Sequence, residues 1–249
     1  MPPRKAATKC HESSRLKEPA FFHLTFFTVS NPVLVTGFEA FGGRDVNPSE
    51  LVARSLEGRL IAGRLVVTRI FPVETAGVPE RLQQAIEEEH PDLVLCTGLA
   101  PGRTAVSLER VAVNMLDFEH PDNSGEVRKN EPILRGGPDA RLSPMPIAEI
   151  VDAWQSNGVP GYVSNSAGTF LCNQTLYEAL GIAESVSPPV TAGFIHLPYL
   201  PEQAIAAGPG NSPSMSLELM KRAVELAIAA TVPWIERRNA GRQAAAAGV

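Results

Sequence analysis

Val33-Leu34-Val35-Thr36-Gly37-Phe38-Glu39-Ala40-Phe41-Gly42-Gly43 is the stretch that decides the fold of this chain. Its first five residues form a short apolar run ending in glycine, which predicts a strand buried on both faces of a parallel sheet. The loop behind it leads to Asn47-Pro48-Ser49 and a helix through Leu56. Glycines after a strand can cradle a phosphate. Here no Gly-Lys-Ser/Thr follows, and the GxGxxG spacing is absent. Phe38 and Phe41 suit a flat, apolar ligand better. The plainer alternative is that both rings pin the loop to the core.

The same alternation of strand and helix continues outward. Residues 65–71 form a second strand candidate, and residues 74–89 a helix with Val78, Leu82, Ala85 and Ile86 as its buried stripe. Residues 92–98 form a third buried strand, which makes Cys96 a core residue, and residues 98–103 the loop at its end. Residues 106–114 alternate like a strand, with an irregularity at Glu109. Residues 117–146 are rich in Pro, Gly, Asp and Asn, long for a connection and suited to a lid or short hairpins. A helix over 147–157, a strand over 161–164 and the helix holding Cys172 come next. A fifth strand over 190–195 is closed by His196-Leu197-Pro198. Ser214-Met215-Ser216 caps a final helix with Leu219, Ala223, Leu226 and Ala227 inward. The pattern predicts one α/β domain over residues 32–238, a single open, mostly parallel twisted sheet flanked by helices. Residues 239–249 read as a frayed alanine-rich tail, and residues 1–31 as a poorly ordered extension. Their basic start and the apolar residues 21–29 outline a signal peptide only faintly, because Glu12 and Glu18 interrupt it and no small-residue cleavage site follows.

The 249 residues carry a net charge of −5, with 44% hydrophobic and 20% charged residues. No basic surplus points to nucleic acid or an anionic membrane as partner. No apolar run approaches the roughly 20 residues of a membrane span. Cys10, Cys96 and Cys172 are far apart, without metal-ligand spacing, so no metal and no cofactor is expected. So sparse and odd a set fits a reducing cytoplasm.

Ser164-Asn165-Ser166-Ala167-Gly168-Thr169-Phe170-Leu171-Cys172-Asn173 carries the chemistry. Its first half is loop, so Cys172 falls in the first turn of the helix that follows. Unpaired N–H groups and the positive dipole end favour thiolate there. The alternative is a small buried hydrophobe beside Phe170 and Leu171. In an open parallel sheet ligands bind beyond the carboxyl ends of the strands. The Phe38/Phe41 loop, the 98–103 loop, the start of the Cys172 helix and His196 gather at that edge. A Cys–His pair would let imidazole take the thiol proton and return it to a leaving amine. A carboxylate would orient the imidazole, and Glu109 is the best placed, unless it is solvated or paired with Arg110.

Four motifs together resemble the pyrrolidone-carboxylate peptidases (pyroglutamyl peptidase I). They are Thr36-Gly37-Phe38-Glu39-Ala40-Phe41-Gly42-Gly43 with Asn47-Pro48, Gly98-Leu99-Ala100-Pro101-Gly102-Arg103 running into Leu108-Glu109-Arg110-Val111-Ala112-Val113-Asn114, the 164–173 stretch, and Gly193-Phe194-Ile195-His196-Leu197-Pro198-Tyr199. The resemblance spans about residues 33–232. It implies a catalytic Cys172, His196 and Glu109, with Phe38 and Phe41 holding a pyrrolidone ring. It also implies lactam hydrogen bonds to the Leu99 and Leu171 carbonyls and the Asn47 side chain. The substrates would be peptides with an N-terminal pyroglutamate (5-oxoproline), cleaved without a metal by a cytosolic homotetramer. One departure stands out: Glu119 occupies the place of an arginine usual in the family near the cysteine. A carboxylate there would raise the thiol pKa unless Glu119 points away or Arg103 or His120 compensates. A catalytically silent pyroglutamyl-peptide-binding homologue is therefore the alternative. A nucleoside phosphorylase of related architecture would need a basic phosphate cradle, which the sequence lacks.

Overall fold

The computed structural model describes Met1 and residues 30–208, 210 and 212–248. Except for Met1, Ser30 and Asn31, the expected poorly ordered extension over residues 1–31 lies outside the described residues, as does Cys10.

In chain order the elements are β1 (Val33–Phe38), α1 (Pro48–Leu56), β2 (Leu60–Ile61), β3 (Arg64–Phe71), α2 (Val78–Glu89), β4 (Leu93–Leu99), β5 (Val106–Glu109), β6 (Val111–Val113), β7 (Leu116–Phe118), β8 (Arg128–Glu131) and β9 (Ala140–Leu142). Then follow α3 (Ile147–Ser156), β10 (Gly161–Ser164), α4 (Leu171–Ser185), β11 (Thr191–Leu197), α5 (Pro201–Ala206) and α6 (Leu217–Ala247). Seven strands form one open sheet in the order β10-β5-β11-β4-β1-β3-β2. The β3/β1, β1/β4, β4/β11 and β5/β10 pairs are parallel, and β5/β11 and β2/β3 antiparallel. The expected open, mostly parallel sheet is therefore present, with β5 and β10 at one side and the short β2 at the other running against β11, β4, β1 and β3.

Period-2 alternation divides the core into two layers. Val33, Val35, Leu93, Leu95, Ile195 and Leu197 face one layer, packed with α1, α3 and α6. Leu34, Phe38, Val94, Cys96 and Phe194 face the other, packed with α2 and α4. Burial on both faces explains why β1, β4 and β11 read as continuous apolar runs.

Several boundaries differ from expectation for local reasons. Helix α2 begins at Val78 rather than residue 74, because Pro79 is tolerated only in a first turn. The predicted strand over 106–114 is two strands. Arg110 breaks it by donating its N–H to the Ser164 carbonyl (2.8 Å) and accepting from the Ser143 N–H (2.9 Å), after which β6 pairs with β9 outside the main sheet. The 117–146 stretch carries the β7/β8 hairpin and β9. The β2/β3 hairpin was not legible because its turn puts Ala62, not only Gly63, at positive φ. Helix α6 runs through Ala247, past Asn239, where a frayed tail was expected. Among the described residues no helix is long and apolar enough to cross a membrane.

Trp154 fixes α3 onto α6. Its side chain is fully buried, and its Nε1–H donates to the Ala223 carbonyl at 2.8 Å. Trp154→Ala is expected to lower the unfolding free energy by about 3–5 kcal/mol. Trp154→Phe should cost about 1–3 kcal/mol, through the lost hydrogen bond and the space the smaller ring leaves unfilled. Chemical denaturation reads both, and native-like stability of the alanine variant would refute this role.

Candidate active site

The site is built on a missing side chain. Gly98 near the end of β4 is the Cα partner of His196 in β11. A Cβ placed at Gly98 would lie 2.8 Å from Cys172 Sγ and 2.8 Å from the Phe194 ring. Only glycine therefore lets the first turn of α4 settle on the sheet beside His196. On the other side of β11, Ser107 is the direct antiparallel partner of His196, so Ser107 and Glu109 share its face. His196 Nδ1 lies 2.8 Å from Glu109 Oε1, and the Glu109 side chain is completely buried. The alternative of a solvated or Arg110-paired carboxylate is not observed. Glu109 instead contacts His196 and Arg103, whose Nη1 is 2.9 Å from the same oxygen.

Phe38, Phe41, Asn47, Leu99, Leu171 and Cys172 all line one narrow cavity with about 280 Å³ of atom-free space, part of it open to solvent. Val73 and Phe170 complete the wall and were not anticipated. Phe170 had a visible signal, since it directly precedes the cysteine turn; Val73 had none. Phe38 is buried in the core while Phe41 is half-buried, so the first ring both anchors the loop and faces the cavity. Asn47 differs from expectation. Its Oδ1 already accepts from the Ser49 N–H (3.1 Å) and hydroxyl (2.9 Å), and its Nδ2 donates to the Glu39 carbonyl (2.9 Å). It caps α1 and clamps the phenylalanine loop, leaving at most one amide hydrogen for a ligand.

Glu119 points away from this site. Its side chain is 86% exposed and lies 3.6 Å from Lys129. The hairpin that carries it serves the cavity from behind. Phe118 packs edge-on against Phe170 with ring centroids 4.5 Å apart. The Asn123 N–H donates to the Val73 carbonyl (2.7 Å) and its side chain to the Ala40 carbonyl (3.1 Å). Asp122 accepts from the N–H groups of Thr75, Ser124 and Glu126 and from the hydroxyls of Thr75 and Ser124.

Electrostatics correct one expectation. Burial pushes the Cys172 thiol up, the Glu109 carboxylate adds to the rise, and Arg103 opposes it. Burial pushes His196 down, against the Glu109 hydrogen bond. Both shifts favour the neutral forms, with burial the largest cause of each. Among the described residues no three His, Cys, Asp or Glu side chains converge as a metal site would require.

So small and apolar a cavity, with a cysteine in its wall and a buried imidazole–carboxylate pair on neighbouring strands of a mostly parallel sheet, marks an α/β peptidase. The family model described as pyroglutamyl peptidase matches residues 31–233. The chain belongs to the pyroglutamyl peptidase family and is an enzyme of the pyroglutamyl-peptidase I type. The pyrrolidone-carboxylate peptidase of Pyrococcus furiosus is 44% identical over 202 residues, which is 79% of this chain and 97% of that relative. That of Klebsiella pneumoniae is 45% identical over 197 residues, 79% of this chain and 91% of the relative. The crystal structure of the Pyrococcus furiosus enzyme superposes with a TM-score of 0.79 at 42% identity, covering 82% of this chain and 99% of that one.

Asp122 gives the cavity wall a pH dependence. Burial alone would raise its carboxyl, but five donors hold it down at about 2. A depressed folded value stabilises the fold above the unfolded value of about 3.9. That contribution fades as pH falls from there through about 2. Urea unfolding across this window should show the loss in the native chain and a smaller one in Asp122→Asn. Identical acid dependence of the two would exclude Asp122 as its source.

Proposed function

We propose that this chain removes N-terminal 5-oxoproline from peptides with Cys172 as nucleophile, His196 as acid–base and Glu109 as the orienting carboxylate. The observation that carries the reading is that one small apolar cavity is lined by Phe38, Phe41, Leu99, Leu171 and Cys172 together, beside the buried His196–Glu109 pair. A lactam ring is compact, flat and uncharged, as such a cavity requires. A free terminal ammonium would be desolvated there without a partner, which costs several kcal/mol and excludes unblocked peptides.

Glu109 occupies Nδ1 of His196, which leaves Nε2 to take the Cys172 proton. Sγ then attacks the pyroglutamyl carbonyl. The oxyanion forms at the first turn of α4, where Phe170 as N-cap offers no side-chain bond to the free N–H groups. The imidazolium returns its proton to the departing amine, and water hydrolyses the thioester by the same route in reverse. The remaining Asn47 amide hydrogen and the backbone of Leu99 and Leu171 are the lactam's polar partners in this reading. A cytoplasmic homotetramer belongs to it as well, on family resemblance. The silent-binding alternative rested on Glu119, and the outward placement of that side chain removes its support.

Cys172→Ser and His196→Ala should each abolish hydrolysis of pyroglutamyl-aminocoumarin while remaining folded. Glu109→Gln should be damaging but less so, since it orients rather than transfers. Wild-type turnover in the serine variant would rule out Cys172 as nucleophile.

Phe41→Ala should lower kcat/KM by roughly 5- to 150-fold, the equivalent of about 1–3 kcal/mol of lost ring contact. The iodoacetamide alkylation rate of free Cys172 should barely change. Full kcat/KM in that variant would make the ring a core residue only.

A further inference from the structure

Arg103 reaches the buried pair from a turn of its own. The Arg103 N–H bonds to the Ala100 carbonyl at 3.3 Å, and Gly102 takes φ +84°. Proline at the second position and a left-handed glycine at the third are what a type II turn demands. The Ala100 N–H donates to the Leu197 carbonyl at 2.9 Å, so the turn is fastened to the strand that carries His196.

From there the guanidinium spans three separate pieces of the site. Nη1 meets Glu109 Oε1 at 2.9 Å and also donates to the Ser107 hydroxyl. Nη2 donates to the Ser166 carbonyl at 3.0 Å, in the loop that leads into the Cys172 helix. Glu109 Oε1 thereby serves Arg103, His196 and the Ser107 hydroxyl, whereas Oε2 has no partner among the described residues. A carboxylate without solvent exposure is tolerated only when paired. Among the described residues Arg103 is the one permanently charged group in ion-pair contact with it. Glu119 and its partner Lys129 lie out in solvent, so residue 119 supplies no cation.

We propose that Arg103 is a positioning residue of the peptidase reaction, which fixes the Glu109 carboxylate behind His196 and ties it through Ser166 to the loop that delivers Cys172. The proposal rests on the thiol-peptidase reading. The charged and titratable groups facing His196 are Glu109 and Arg103, and those facing Cys172 are Glu109, Arg103 and Cys96. The Arg103 cation works against protonation of both His196 and Cys172. Its removal leaves imidazole protonated to higher pH and the thiol harder to ionise. A guanidinium fork fits two acceptors at once, and an ammonium supplies charge without that fork.

The test uses Arg103→Gln and Arg103→Lys in the full chain, with kcat, KM and the pH–rate profile read on pyroglutamyl-aminocoumarin. Arg103→Gln should lose roughly 10- to 100-fold in kcat, the usual effect of removing a group that orients a reacting one. KM should change little, because Arg103 does not line the ring cavity. The acid limb of the profile should move to higher pH, and Cys172 alkylation at neutral pH should slow. Arg103→Lys should return the limb to its native position and recover part of kcat. Native kcat and limb in Arg103→Gln would overturn the proposal, as would a loss whose limb Arg103→Lys leaves displaced. If the glutamine variant does not fold, the limb of the lysine variant decides alone, native position supporting and displacement refuting. Cys172→Ser measured alongside separates the two levels. Its retention of turnover would condemn the thiol-peptidase reading, whereas its loss beside an unaffected Arg103→Gln would condemn only the role of Arg103.

Discussion

A carboxylate with no access to water sits at the end of β5, and the site is arranged around making that tolerable. Glu109 cannot be solvated, so its charge must be met by neighbours. His196 meets it from β11, Ser107 from the same face of β5, and Arg103 from the turn after β4. The antiparallel pairing of β5 with β11 meets this requirement. It sets Ser107 opposite His196 and turns Glu109 toward the same face. The reversal of β5 is therefore part of the site, while β11, β4, β1 and β3 form an ordinary parallel frame.

Recognition is built differently from catalysis. The buried His196–Glu109 pair lies on the strands, which hold it rigidly. The ring cavity is assembled from the loop after β1, one residue beyond β3, the end of β4 and the first turn of α4. Those pieces lie apart in the chain and are braced from behind by the β7/β8 hairpin, through Asn123 on Val73 and Ala40 and through Phe118 on Phe170. Asp122 holds the brace in shape with its five acceptor bonds. A long polar segment that looks in sequence like a lid is thus a buttress.

Much of this was legible in the sequence where one local rule dominates. Apolar runs ending in glycine marked β1 and β4, and the small polar residues 164–168 marked the turn into the cysteine helix. Phe38, Phe41, Leu99, Leu171 and Cys172 meet in one cavity because loops at one edge of a parallel sheet must converge. What escaped notice depended on tertiary balance. The helix N-terminus argued for a thiolate at Cys172, but desolvation, which no spacing reveals, reverses the sign. Asn47 offers polar atoms in the sequence, yet the fold uses most of them to hold its own loop. Val73 carries no mark at all, since a valine after a strand is unremarkable until its neighbours are known.

The spread of the site along the chain has a consequence for how the enzyme comes into being. Phe38 and His196 are separated by most of the domain, and β11, which bears His196, inserts between β4 and β5 rather than at an edge. Until that strand is in place, Gly98 has no partner at residue 196, Glu109 lacks its imidazole contact, and α4 lacks one of the strands it packs on. Contacts of such long sequence separation form late and together. During synthesis, a chain that ends before residue 196 therefore has the cysteine but not the buried imidazole–carboxylate pair.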